Sequence, residues 1–200
     1  LNGSSTLGMV TWNSRALLAS DKLMKRARAR KLRDLLNNFD IVAVQETHAQ
    51  EADAARLSHS VRATHTAWHA SAIDTATGGV SLFVRNQLFG FGAITTCETS
   101  AEGRAMRWSS SFAGATFVIR NVHDFGLSHA RALWLATALQ NDTTRSLEAP
   151  GRHLTVALGD WNFLAKGDRR LDYSAPSSRA AHVGSSICSE FAGVLGSMLD

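Results

Sequence analysis

Along this chain apolar residues come in short, nearly unbroken runs that stop abruptly on polar side chains. The clearest are "GMVTWN", "IVAVQETH", "TFVIRNVHD" and "TVALGDWN". Runs of this kind mark strands covered on both faces, whereas "HTAWHA" alternates as a half-buried strand does. The pattern predicts strands over Leu7–Trp12, Ile41–Gln45, His65–Ala70, Val80–Arg85, Ala105–Ser109, Ala115–Arg120 and His153–Leu158. Between them, helical periodicity predicts helices over Asp21–Phe39, Ala49–Ser60 and Ser128–Gln140. With only two prolines and no repeat or low-complexity tract, one compact α/β domain is the simplest organisation. Past Asp168, "RRLDYSAPSSRAAHVGSSICSE" is polar and turn-rich and reads as a long loop before a final short apolar piece.

The groups that close the apolar runs carry the chemistry. Asn13, Glu46, Asn121 with His123, and Asp160 with Asn162 all stand at strand ends. Taken alone, "GDWN" is explained as a turn, because Asp and Asn bond their own backbone and Gly admits unusual dihedrals. The recurrence argues for more: ligands of α/β sheets gather outside the carboxyl ends of strands. Carboxylates and amide carbonyls are hard ligands suited to Mg²⁺, with Mn²⁺ as the alternative, and Glu46 is the natural anchor. A second carboxylate can take a proton from water or orient it, while amide nitrogens and an imidazole donate to phosphate oxygens. That combination describes hydrolysis of a phosphate ester. Other classes fit worse, since the chain has neither a G-x-S-x-G elbow nor a Walker A loop. The glycine pair of "TATGGVSLF" reads as ordinary turn chemistry.

Charge adds a direction. The net charge of +4 modestly favours a polyanionic partner. Its densest run is Lys22, Lys25, Arg26, Arg28, Arg30, Lys31 and Arg33. On a helical wheel Met24, Ala27, Leu32, Leu35, Leu36 and Phe39 gather on one side, with Lys22, Arg26, Arg30 and Arg33 opposite. This predicts an amphipathic helix whose basic face is a solvated surface or a nucleic-acid contact through Arg26 and Arg30. Cys97 and Cys188 lie far apart without a second ligand at zinc spacing, and His65 and His69 lack the Glu of a metalloprotease motif. No apolar run approaches the roughly 20 residues that span a bilayer, so no membrane association is expected.

In series, Asn13, "VQETH", "TGGVSLFV", "AEGRAMRW", "RNVHDFGL" and "GDWNF" resemble the endonuclease/exonuclease/phosphatase superfamily, most closely the apurinic-endonuclease-type domains of non-LTR retrotransposons. The resemblance spans Leu7 to about Phe163. It implies a DNase I-like α/β sandwich, two packed β-sheets flanked by helices, with a divalent metal at the strand ends. By motif match Glu46 is the metal ligand with Asn13 beside it, Asp160 activates or orients water, and Asn162 binds the scissile phosphate. His123 falls where members carry a Tyr or His that touches that phosphate. Asn121 and Asp124 flank it as substrate contacts, although Asp124 stands where retroelement members often have an apolar residue. The implied partner is nucleic acid, DNA first, in a longer polyprotein with a reverse transcriptase.

The carboxyl end departs from the family pattern. Members close with a Ser-Asp-His-like motif well beyond G-D-x-N, and no S-D-H occurs here; His182, in "RAAHVG", lacks a preceding Asp. The sequence therefore reads as a single domain over residues 1–200, truncated at its carboxyl end, with an incomplete second sheet. Three functions stay open: a Mg²⁺-dependent nucleic-acid phosphodiesterase, a relic without turnover that keeps metal or nucleic-acid binding, and a phosphodiesterase of lipid or inositol head groups. Trp12, Trp108, Trp134 and Trp161 are expected in the core rather than as base-stacking platforms. Arg104 in "EGR" is expected to hold a loop.

Overall fold

The structure is a computed structural model and describes residues 7–18, 22–72, 78–88, 93–100, 102–112, 114–123, 137–142, 144 and 151–160. It divides into two compact units, Leu1–His123 with Pro150–Asp160, and Asp124–Ala149 with Trp161–Asp200. In the second unit, residues 137–142 are helical, with Leu139 and Asp142 buried. Most of the predicted helix Ser128–Gln140, and the whole stretch past Asp168, lie outside the described residues.

The first unit is a sandwich of two four-stranded sheets. Its strands are β1 (Met9–Asn13), β2 (Ile41–Gln45), β3 (His65–Ala70), β4 (Val80–Arg85), β5 (Ile94–Thr99), β6 (Ala105–Phe112), β7 (Ala115–His123) and β8 (Arg152–Asp160). One sheet has the order β1-β2-β4-β3 and the other β5-β6-β7-β8. Each contains one parallel pair, β1 with β2 and β7 with β8; the remaining neighbours are antiparallel.

The packing follows from the two-residue period of strands. On β2, Ile41 and Ala43 face the other sheet, meeting Leu82, Met106, Trp108 and Ile119 in the core, while Val42 and Val44 face outward. Helices α1 (Lys22–Asn38) and α2 (Glu51–Val61) cover that outer face. This is why "IVAVQ" is buried at every position. Trp108 is fully buried, with Trp68 at 5.5 Å and Phe117 at 6.4 Å between ring centroids. The end of α1 is pinned by Arg85, whose Nη2 donates to the carbonyls of Leu36 (3.2 Å) and Phe39 (3.0 Å) while Nε pairs with Asp40 at 2.8 Å. Cationic donors at a helix carboxyl end satisfy carbonyls that the helix leaves open.

The wheel of α1 needs correction. Leu32, Leu35 and Leu36 are buried as expected, but Met24 is 49% exposed and Ala27 is exposed. In this half of the helix Arg28 donates from Nη1 to the Ala16 carbonyl at 2.8 Å. Strand β5 is absent from the sequence-based prediction. Its "ITTCET" is exposed at nearly every position, as an edge strand can be, and so carries no apolar period to detect. Among the described residues no helix is long and apolar enough to cross a membrane.

His69, on β3, is held between Ser58 Oγ (2.9 Å) and Ser81 Oγ (2.7 Å). Burial pushes its imidazole down to about 4. The unfolded chain takes up this proton near the ordinary value of 6.5, so stability is fully present above 6.5 and is lost as pH falls toward 4. The loss is on the order of 2 kcal/mol after allowance for partial exposure. Urea midpoints taken at pH 7.5 and 4.5 should fall further for the parent chain than for His69→Gln. Equal drops in the two proteins would show that His69 carries none of the slope.

Candidate active site

The carboxyl ends of β1, β2, β7 and β8 meet at one edge of the sandwich. Asn13 ends β1 beside Gln45, the last residue of β2, and His123 ends β7 directly opposite Asp160, the last residue of β8. Parallel neighbours end together, so each parallel pair delivers two polar residues to the same edge. Gly159 permits this closeness: a Cβ there would lie 2.2 Å from the Val122 carbonyl oxygen, a separation no other residue tolerates.

At this edge the Asn13 side chain joins the two sheets. The Asn13 amide donates from Nδ2 to Glu46 Oε1 at 3.0 Å and to Asp160 Oδ2 at 2.5 Å, while its Oδ1 accepts from Arg15 N at 2.9 Å. These partners determine which end of the amide faces inward, since an oxygen turned toward two carboxylates would be repelled. The oxygen that an amide offers a metal ion is thus turned to the backbone, and Asn13 acts as a bridge between carboxylates. Glu46 Oε1 also meets His123 Nε2 at 3.1 Å. Glu46, His123 and Asp160 each offer one ligand atom, all within 4.8 Å of one another.

The backbone at Glu46 is strained. Its φ is 52°, in the left-handed region that side chains avoid at a cost of about 1–3 kcal/mol. Surrounding bonds hold it there: the Glu46 carbonyl accepts from Ala16 N at 2.8 Å and Ser14 Oγ at 2.9 Å. The next residues hang on the glycine pair, with Thr47 N donating to Gly79 O and His48 N to Gly78 O, both at 3.1 Å. At Gly79, φ is +78° and a Cβ would stand 2.4 Å from Thr47 Oγ1. The glycine pair therefore does more than turn the chain; it holds the loop that presents Glu46. Sequence reasoning missed Ser14 and underrated this pair, because neither signals itself without knowing that β4 starts where β2 ends.

Burial pushes the His123 imidazole below the usual histidine range. The Glu46 and Asp160 carboxylates oppose that shift, and Arg104 adds to it. The ring is consequently neutral near pH 7, and its buried Nδ1 has no hydrogen-bond partner among the described residues. A neutral ring leaves two carboxylates at close quarters with no proton to offset them, an arrangement that favours a cation. The donor set of two carboxylate oxygens and one imidazole nitrogen fits a divalent ion.

Asn121 sits beneath this edge. It is fully buried, accepting from Gln45 Nε2 at 2.7 Å and donating to Ser81 O at 2.8 Å and Val44 O at 3.3 Å. Both ends of its amide are engaged, so it ties one sheet to the other below the cluster and does not reach solvent. Arg26 and Arg30 lie exposed on α1 and are not part of the cluster. Asn162 and Asp124 lie outside the described residues.

Comparison with known proteins accords with this architecture. The fold is similar to that of TDP2 from C. elegans (TM-score 0.57, 16% identity, 84% of this chain and 51% of that one). D. rerio TDP2, whose structure holds a single-strand DNA product, gives a TM-score of 0.50 with 18% identity over 79% of this chain and 61% of that one. The human Nocturnin catalytic domain with a bound sulfate anion gives 0.52 with 17% identity over 78% and 65%. The chain thus spans between half and two thirds of the length of these structures. No curated protein matches it significantly by sequence. Residues 10–193 do match the profile of one family, and the strand-end cluster just described lies inside that match. On that match, spanning most of its length, the chain belongs to the endonuclease/exonuclease/phosphatase family.

Proposed function

We propose that this protein is a divalent-metal-dependent phosphodiesterase that cleaves nucleic acid, with DNA as its first substrate. The observation that carries this reading is the Glu46, His123 and Asp160 cluster at the joined edge of the two sheets, in a chain of this family. Glu46 and Asp160 would hold the ion, and His123 lies within reach of both. When bound, the ion would neutralise the carboxylates and polarise the scissile phosphate. Magnesium is the favoured ion and manganese the alternative.

The chain's own residues divide the remaining work. Asp160 orients the attacking water and takes up its proton. Asn13 locks Asp160 and Glu46 in one geometry, so neither reorganises during the reaction. His123 donates a hydrogen bond to the phosphate as negative charge grows on its oxygens. In the free site Nε2 lies 3.1 Å from Glu46 Oε1, and an acceptor-only carboxylate favours the tautomer with the proton on that nitrogen. Asn162 remains the candidate for a second phosphate contact by motif match.

Nucleic acid is favoured over lipid or inositol head groups by the exposed basic face of α1, including Arg26 and Arg30. D. rerio TDP2, with its bound single-strand DNA product, is a fold relative that supports the same choice. A retroelement-type nicking activity rests on the motif resemblance alone. The test is cleavage of supercoiled plasmid and of a single-stranded oligonucleotide by the chain in MgCl₂, MnCl₂ and EDTA. Divalent-dependent cleavage, abolished by EDTA, is expected. Hydrolysis of sphingomyelin or an inositol phosphate without cleavage of either DNA would overturn the nucleic-acid assignment. Metal binding without turnover on any of them would identify a relic.

A further inference from the structure

We propose that Arg104 is a phosphate-binding residue of this site, gripping the substrate phosphate from the side opposite Asp160. The inference rests on the phosphodiesterase reading above. Arg104 immediately precedes β6, whose first residue Ala105 pairs with Val122. It consequently lies opposite His123, whose N–H donates to the Arg104 carbonyl at 2.8 Å. Since His123 lies opposite Asp160, Arg104, His123 and Asp160 form one row across three adjacent strands. Cross-strand partners share a face, so the row continues the inner face that carries Met106, Trp108 and Ile119.

The guanidinium is underused where it stands. Its Nη1 is buried with no hydrogen-bond partner among the described residues. Its ion pair with Glu102 spans 3.9 Å, and the Glu102 side chain is 56% exposed. A pair that long and that wet does little to hold an arginine. An unpaired buried guanidinium N–H is costly, and the cost is recovered when an anion arrives. Arginine's planar fork suits phosphate oxygens, and 23% of the side chain remains exposed for approach. The preceding turn holds the residue firmly: Gly103 has φ +64°, and a Cβ there would lie 2.0 Å from the Ser71 carbonyl oxygen. Arg104 N and Ala105 N both donate to Ser100 Oγ, at 3.1 and 3.0 Å. "EGR" is therefore a loop that positions an arginine rather than an arginine that positions a loop.

The experiment compares the parent chain with Arg104→Gln and Arg104→Lys in two assays. The first is cleavage of a single-stranded oligonucleotide in Mg²⁺. The second follows the His123 ring resonances by NMR while inorganic phosphate is titrated into the Mg²⁺-loaded protein. Arg104→Gln should lower kcat/KM by about thirty-fold or more and raise the phosphate midpoint by about ten-fold, as loss of one charge-assisted fork implies. Arg104→Lys, keeping the charge without the fork, should recover part of both. A residue that merely holds the turn would leave the phosphate midpoint unmoved in a folded variant. Should the parent chain cleave while Arg104→Gln matches it in rate and midpoint, the inference fails and the phosphodiesterase reading stands. If the parent chain neither cleaves DNA nor responds to phosphate at His123, both fail.

Discussion

Replacing Glu46 with Gln is expected to slow DNA cleavage by about a hundred-fold or more while leaving the metal-free protein at least as stable as the parent chain. The two halves of this result have one cause. Glu46 and Asp160 share the Asn13 amide and sit beside a histidine that burial keeps neutral. Without a cation, their like charges repel by on the order of 1 kcal/mol even in a well-screened setting. Glutamine keeps an acceptor for Asn13 and His123 and removes that repulsion, so the urea midpoint in EDTA should stay level or rise. With Mg²⁺ or Mn²⁺ the order should reverse: the parent chain gains stability from a ligand that binds only the folded state, and the variant gains little. A residue present for folding alone would behave the opposite way in EDTA. Cleavage within ten-fold of the parent chain, or an equal metal-induced rise in midpoint, would remove Glu46 from the site.

How much of this was legible beforehand depends on whether a residue's role is local or set by its neighbours. The endings at Asn13, Glu46, His123 and Asp160 could be seen because each interrupts an apolar run, and a polar group at the end of a buried strand needs a partner in solvent, in a ligand or in the opposite sheet. The unbroken apolar run of "IVAVQ" likewise announces burial on two faces. Asn121 looks like its neighbours in "RNVHD", yet it lies wholly inside, since the sheet carrying Gln45 and Ser81 closes over it. Nothing near residue 121 in the sequence reveals that. The glycine pair at 78 and 79 hides its importance for a similar reason, because what it must avoid is Thr47. Met24 erred in the other direction: a wheel tells which residues share a side of α1, but not how far along the helix that side stays covered. Arg104 belongs to the same class as Asn121, since its row with His123 and Asp160 exists only through strand register.

Asp160→Asn should have the largest effect of any single substitution, lowering kcat by about a thousand-fold with KM little changed. Asparagine can present its carbonyl oxygen to Asn13 Nδ2 and so preserve the bridge to Glu46, which makes this exchange conservative in shape and hydrogen bonding. What it loses is the negative charge and the capacity to take a proton from water, both of which the proposed reaction requires. Binding of the substrate phosphate, assigned to His123 and Arg104, is untouched, so the loss belongs in kcat. Asp160→Ala separates the contributions further. It also removes the acceptor for Asn13, loosens Glu46 and should weaken metal affinity, which Asp160→Asn should reduce less. Titration calorimetry with Mn²⁺ on both variants, alongside kcat and KM on the oligonucleotide, reads these effects independently. If Asp160→Asn and Asp160→Ala lose metal affinity equally and kcat only in proportion, Asp160 is a metal ligand alone. The proton must then be accepted elsewhere, with His123 the nearest neutral base in the cluster.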